Sequence, residues 1–112
     1  MTGLGVIASN GIGLNFFREA LQTGKSGIRW QESHKRHNMA SQIAGIPELT
    51  EDEILEVLPP NLLHKLTEAM VYAALCSIEC ARHSGEKVDL FSDVETPVNW
   101  STGAIIGCGL GG

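Results

Sequence analysis

Residues 1–24 read MTGLGVIASNGIGLNFFREALQTG, and this stretch decides the fold class. Val6 and Ile7 carry β-propensity, so residues 1–9 are predicted as a strand. Gly3 and Gly5 would let another backbone lie directly against it. Asn10-Gly11-Ile12-Gly13 punctuates a turn. Leu14, Phe17 and Leu21 then recur at helical spacing, which predicts a helix over 14–23 with one buried stripe. Gly24 is placed to end it in the left-handed conformation. Strand, glycine turn and helix in that order announce an α/β chain.

Beyond Gly24 the pattern weakens. Residues 25–38 mix basic, acidic and polar side chains without a period and are expected to form a loop. Residues 39–46, MASQIAGI, could form a strand stopped by Pro47. Thr50 and Glu53 make a capping box that opens a short acidic helix over about 51–58, before Pro59-Pro60. A long helix is expected over about 62–84. Its centre, residues 69–78 (AMVYAALCSI), is apolar on nearly every side, the mark of a helix enclosed in a larger body. Residues 86–100 are expected to be irregular. Residues 102–107, TGAIIG, are expected to form a buried strand running into a glycine-rich turn.

Composition narrows the function classes. A net charge of −5 disfavours a nucleic-acid binder, which needs a concentrated basic face. With 43% hydrophobic and 19% charged residues the chain is not intrinsically disordered in character. Three cysteines, Cys76, Cys80 and Cys108, do not make a secreted disulfide framework. No basic segment precedes an apolar run near Met1, and no apolar run approaches the roughly 20 residues of a membrane span. The expected setting is therefore cytoplasmic. Four of the last six residues are glycine. A chain of 112 residues ending in such a run, with too little helix to cover an apolar sheet on both faces, is expected to be the first part of a larger domain.

Several constellations are candidates for chemistry. Gly107-x-Gly109-x-x-Gly112 matches a dinucleotide fingerprint after an expected strand, although a tight structural turn is the preferred reading. Gly24-Lys25-Ser26 echoes the end of a P-loop, but Glu19 stands where the motif needs glycine. Cys76, Cys80 and His83 fall on one helix face and could offer zinc ligands; a buried apolar face is preferred. His34 and His37 have ligand-like spacing but lack a thiol or acidic partner, and read as surface. Cys108 is preferred as a small packing residue over a nucleophile. His64 and Lys65 lie near the start of the long helix. Lys35 and Arg36 add positive charge elsewhere. Solvated surface is the plain reading of His64 and Lys65, and a dock for an acidic partner the sharper one.

Four segments together resemble one family, the beta-ketoacyl-acyl-carrier-protein synthases. TGLGVIASNGIG is similar to the family's first strand and turn, and FFREALQTGKSGI to the helix and G-[KR]-S-G-I that follow. TEAMVYAALCSIECARHSG is similar in register to its long alanine-rich helix. GAIIGCGLGG is similar to its strand and glycine-rich turn, with Cys108 where Ser or Thr is usual. The resemblance implies a thiolase-like αβαβα sandwich, of which residues 1–112 would be the amino-terminal part, and a homodimer. It implies condensation of an acyl chain with malonyl-acyl carrier protein, in fatty acid or polyketide synthesis. The family's nucleophilic Cys and two His residues lie beyond the glycine-rich turn, so no catalytic residue is assigned here, and none of the cysteines or histidines present matches one. No cofactor or metal is implied. Leu110 matches the position that reaches the acyl pocket near the dimer interface. His64 and Lys65 match a basic patch that meets acyl carrier protein, although this chain is less basic there. Two alternatives stay open: a non-catalytic, chain-length-determining partner subunit in a heterodimer, and a dinucleotide-binding oxidoreductase fragment.

Overall fold

The computed structural model describes residues 2–85, 100–101 and 103–107. It is a mixed α/β arrangement of helices and two small antiparallel sheets. Strand β1 (Ile7–Ala8) turns at once into β2 (Gly11–Ile12), with Ile7 opposite Ile12. Helix α1 (Leu14–Thr23) follows with the bounds the sequence predicts. Gly24 closes it at φ 69°, its N–H reaching back to the last turn. The expected nine-residue strand has only Ile7–Ala8 in a ladder. The segment before it bonds instead to side chains of a helix.

The 25–38 stretch is not all loop. It contains β3 (Ile28–Trp30) and a short helix, α2 (Glu32–Arg36). β3 pairs with β4 (Ile43–Gly45), the ordered part of the expected 39–46 strand. Neither strand has a polar-out, apolar-in pattern. Ile28, Trp30 and Ile43 all lie more than half exposed, so alternation could not reveal them. The Arg29–Glu48 ion pair on this hairpin joins two exposed side chains and contributes little. The two hairpins meet where Ser9 sits between Gly27 and Gly45.

Helix α3 (Glu51–Leu55) begins with the anticipated capping box: Glu53 N–H donates to Thr50 Oγ1, and Thr50 N–H to the Glu53 carboxylate at 2.8 Å. The Thr50 N–H, and after it the Thr50 hydroxyl, donate to the Glu53 carboxylate and hold that carboxyl below its usual range. The helix is shorter than the expected 51–58.

The long helix divides in two. α4 (Pro60–Leu63) starts on Pro60, whose missing N–H costs nothing in the first turn. α5 (Glu68–Ser84) starts afresh at Thr67, whose Oγ1 accepts from Met70 N–H. Thr67 therefore competes as a cap and interrupts the apolar run. α5 ends on Gly85 at φ 84°.

The core is small. Leu58, Val71 and Ile78 are buried together, ringed by Ile54, Val57, Leu63, Leu66, Ala74 and Leu75. α5 is not enclosed on all sides: Met70 is 53% exposed. Residues 103–107 form no strand, contrary to the sequence expectation. Ile105 and Ile106 stand exposed, with no neighbouring strand beside them among the described residues to supply a ladder. No described helix is long and apolar enough to cross a membrane.

Candidate functional site

The most constructed part of the molecule lies where the amino-terminal segment crosses α5. A Cβ on Gly3 would overlap the carbonyl oxygen of Cys80, and one on Gly5 that of Cys76. The missing side chains let the chain lie directly on the helix backbone. The α5 side chains then take up the N–H groups of this segment. Leu4 N–H donates to His83 Nδ1 at 3.1 Å, and Val6 N–H to Glu79 Oε2 at 2.8 Å. Glu79 Oε1 also accepts from Leu14 N–H at 2.7 Å.

Leu14 is the first residue of α1, whose cap position is Gly13 and therefore has no side chain to offer. Glu79 supplies the missing acceptor from 65 positions away in sequence, and its charge lies at the positive end of the α1 dipole. Sequence reasoning passed over this residue. The available signal was that Glu79 is the one acid between Ala69 and Gly85, in a mostly apolar helix, where a carboxylate needs donors.

Beside Glu79 an open cleft of about 250 Å³ runs between the first hairpin, α3 and α5. Ile7, Ile12, Val57, Leu75 and Ile78 give it apolar walls, with Glu53, Glu79 and Arg82 among its polar groups. The carboxylates are already engaged, Glu53 by Thr50 and Glu79 by the two backbone donors.

The helix-face zinc candidate does not assemble. Burial is the main cause pushing the Cys76 thiol up, with the Glu79 charge adding to it and the Ile7 backbone bond opposing it. That favours the thiol over the ligating thiolate. His83 Nδ1 is occupied by Leu4 N–H. No group of three His, Cys, Asp or Glu side chains among the described residues could hold a metal ion. His34 and His37 lie on and just after α2 rather than in a loop, each with Nδ1 directed at a backbone carbonyl, of Ser41 and Ser33.

His64 and Lys65 are exposed in the break between α4 and α5. They stand near Met70 in sequence but far along the chain from the Glu79 contacts. Leu110 and Cys108, with Gly109 and Gly112 of the glycine motif, lie outside the described residues.

One turn into α5, Tyr72 donates its hydroxyl proton to Glu68. Burial first, then the bond to Glu68 and its charge, push the phenol up to about 12. Tyr72 is the chain's single tyrosine, so alkaline absorbance titration reads it alone. We expect a midpoint near 12 and a shift back toward the ordinary value of about 10 in Glu68→Gln. A native midpoint at the ordinary value refutes the contact. The associated stability is present below the ordinary value and lost as pH rises toward 12.

No protein-family model matches the chain, and no curated protein matches it either.

Proposed function

We propose that residues 1–112 are the amino-terminal part of a condensing enzyme of the beta-ketoacyl-acyl-carrier-protein synthase type, with the thiolase-like αβαβα fold. Such an enzyme joins an acyl chain to a malonyl unit carried on acyl carrier protein. The observation that carries the reading is the seating of the first segment on α5. Gly3 and Gly5 meet the helix backbone at Cys80 and Cys76, so two of the segments that carry the resemblance, which follow one another along the chain in the family's order, pack directly together. The helix over 14–23 and its Gly24 end also agree with that order.

On this reading Leu110 borders the acyl pocket, and the exposed His64 and Lys65 receive the acidic carrier protein. The protein acts as a homodimer without cofactor or metal. The nucleophile that accepts the acyl group and the two histidines that serve decarboxylation and the developing oxyanion follow Gly112. Fixed donors aimed at that oxyanion supply a leading part of the rate.

Coding sequence following Gly112 is expected to contain a Cys among small residues and then two His residues. The polypeptide that contains them should condense acyl and malonyl thioesters of acyl carrier protein, whereas residues 1–112 alone should not. Lys65→Glu should slow carrier-protein association, most visibly at low salt. A different residue at the nucleophile position would point to the partner subunit instead. Binding of NAD(P) without condensation would point to the oxidoreductase. Condensation by residues 1–112 alone would place the chemistry within this chain and overturn the assignment.

A further inference from the structure

We propose that α5 holds the amino-terminal segment through a proton-sensitive clasp that opens from its His83 end. Two acceptors one helical turn apart, His83 and Glu79, receive the N–H groups of Leu4 and Val6. Both accept only in their deprotonated form or do so best in it. A backbone N–H can only donate, so the bond from Leu4 requires a neutral imidazole with a bare Nδ1. A proton on that nitrogen turns acceptor into donor and sets N–H against N–H. Glu79 accepts on both oxygens, and protonation would convert one of them into a donor.

Imidazoles as a class take up a proton before carboxylates do. Release of Leu4 therefore needs a proton on His83 alone, whereas release of Val6 and Leu14 needs one on Glu79. Residues 2–17 contain no titratable side chain. Among the described residues, the titratable and charged groups facing the clasp are Glu53 from α3 and Cys76 and Arg82 from α5. Arg82 and Glu53 both border the cleft beside Glu79, where they oppose one another in charge. His83 is exposed, so protons reach it without any opening of the core. The consequence is a graded release: the first residues lift in mild acid, and the hairpin and α1 stay in place.

Amide exchange at Leu4, Val6 and Leu14, expressed as protection relative to the unstructured rate, tests this in the protein at about pH 7.5 and about pH 5.5, values that bracket imidazole titration. Protection at Leu4 should fall about fivefold, the scale of one lost hydrogen bond, while Val6 and Leu14 hold. In His83→Asn, whose amide oxygen can stand where Nδ1 stood but does not titrate, the step should vanish. A native protein with no step at Leu4, or a variant that keeps it, overturns the clasp.

Discussion

Gly5→Ala should be among the most damaging single-atom additions the described chain can receive. The new Cβ would fall on the Cys76 carbonyl oxygen, which is helix backbone and cannot swing aside as a side chain could. Either the segment lifts from α5 or the helix bends, and overpacking of this kind costs about 3 kcal/mol. For a domain of this size that is a fall of about 10 °C or more in Tm. Lifting the segment would also stretch the Val6–Glu79 and Leu4–His83 bonds, so the loss is coupled. Gly3→Ala meets the Cys80 carbonyl in the same way. The double variant should cost less than the two single costs combined, because a segment already lifted meets no second obstruction. Gly24→Ala is the contrasting case. Nothing lies within 4 Å of its added Cβ, and only its left-handed backbone resists, at about 1 kcal/mol. Thermal unfolding of the four variants checks the order. A Gly5→Ala protein as stable as Gly24→Ala would mean that the segment does not rest on α5.

Glu79→Ala is expected to cost about 3 kcal/mol. It removes one carboxylate but strands two part-buried donors, Val6 N–H and Leu14 N–H, and bonds to a charged acceptor are each worth about 1.5–3 kcal/mol. The α1 dipole also loses its counter-charge. Glu79→Gln keeps one acceptor oxygen and should lose roughly half as much. Urea midpoints give the size of the effect, and amide exchange gives its place. Protection in α1 should collapse from its first turn at Leu14, while α3, held by its own Thr50–Glu53 cap, changes little. Equal midpoints for Ala, Gln and the native side chain would show that Glu79 caps nothing.

Local signals in the sequence located most elements and failed where a distant partner decided the outcome. α1 carried its whole description within ten residues: an apolar stripe and a terminal glycine, both of which act over one or two turns. The Thr50–Glu53 box was equally local. The break before α5 was legible in principle, since Thr67 is a competent cap, but the continuous apolar run from Ala69 drew the helix too long. β3 and β4 escaped because Ile28, Trp30 and Ile43 keep much of their surface in solvent, so no alternation marks them. Residues 103–107 had the opposite fault: an apolar sequence implied a strand, but a strand needs a partner, and among the described residues none lies beside Ile105 or Ile106. At the site, the need of Gly3 and Gly5 for a close backbone was readable. Which backbone, and the use of Glu79 and His83 as acceptors, depended on the approach of α5 from more than 70 positions away.

The seating of residues 3–6 on α5 also works as a pair of rulers. Moving two residues along the segment, from Gly3 to Gly5 or from Leu4 to Val6, matches moving four residues back along the helix, from Cys80 to Cys76 or from His83 to Glu79. Two extended residues span about 6.6 Å, and four helical residues about 6.0 Å. The scales agree over one repeat and drift apart by about 0.6 Å with each further one, so an arrangement of this kind is confined to a short length. It also fixes phase. Sliding the segment by one residue would bring Leu4 onto the carbonyl that now receives a glycine, and would turn the donors away from both acceptors. One register satisfies the glycines and the N–H groups together, so these four residues hold the position of everything that follows them as far as α1.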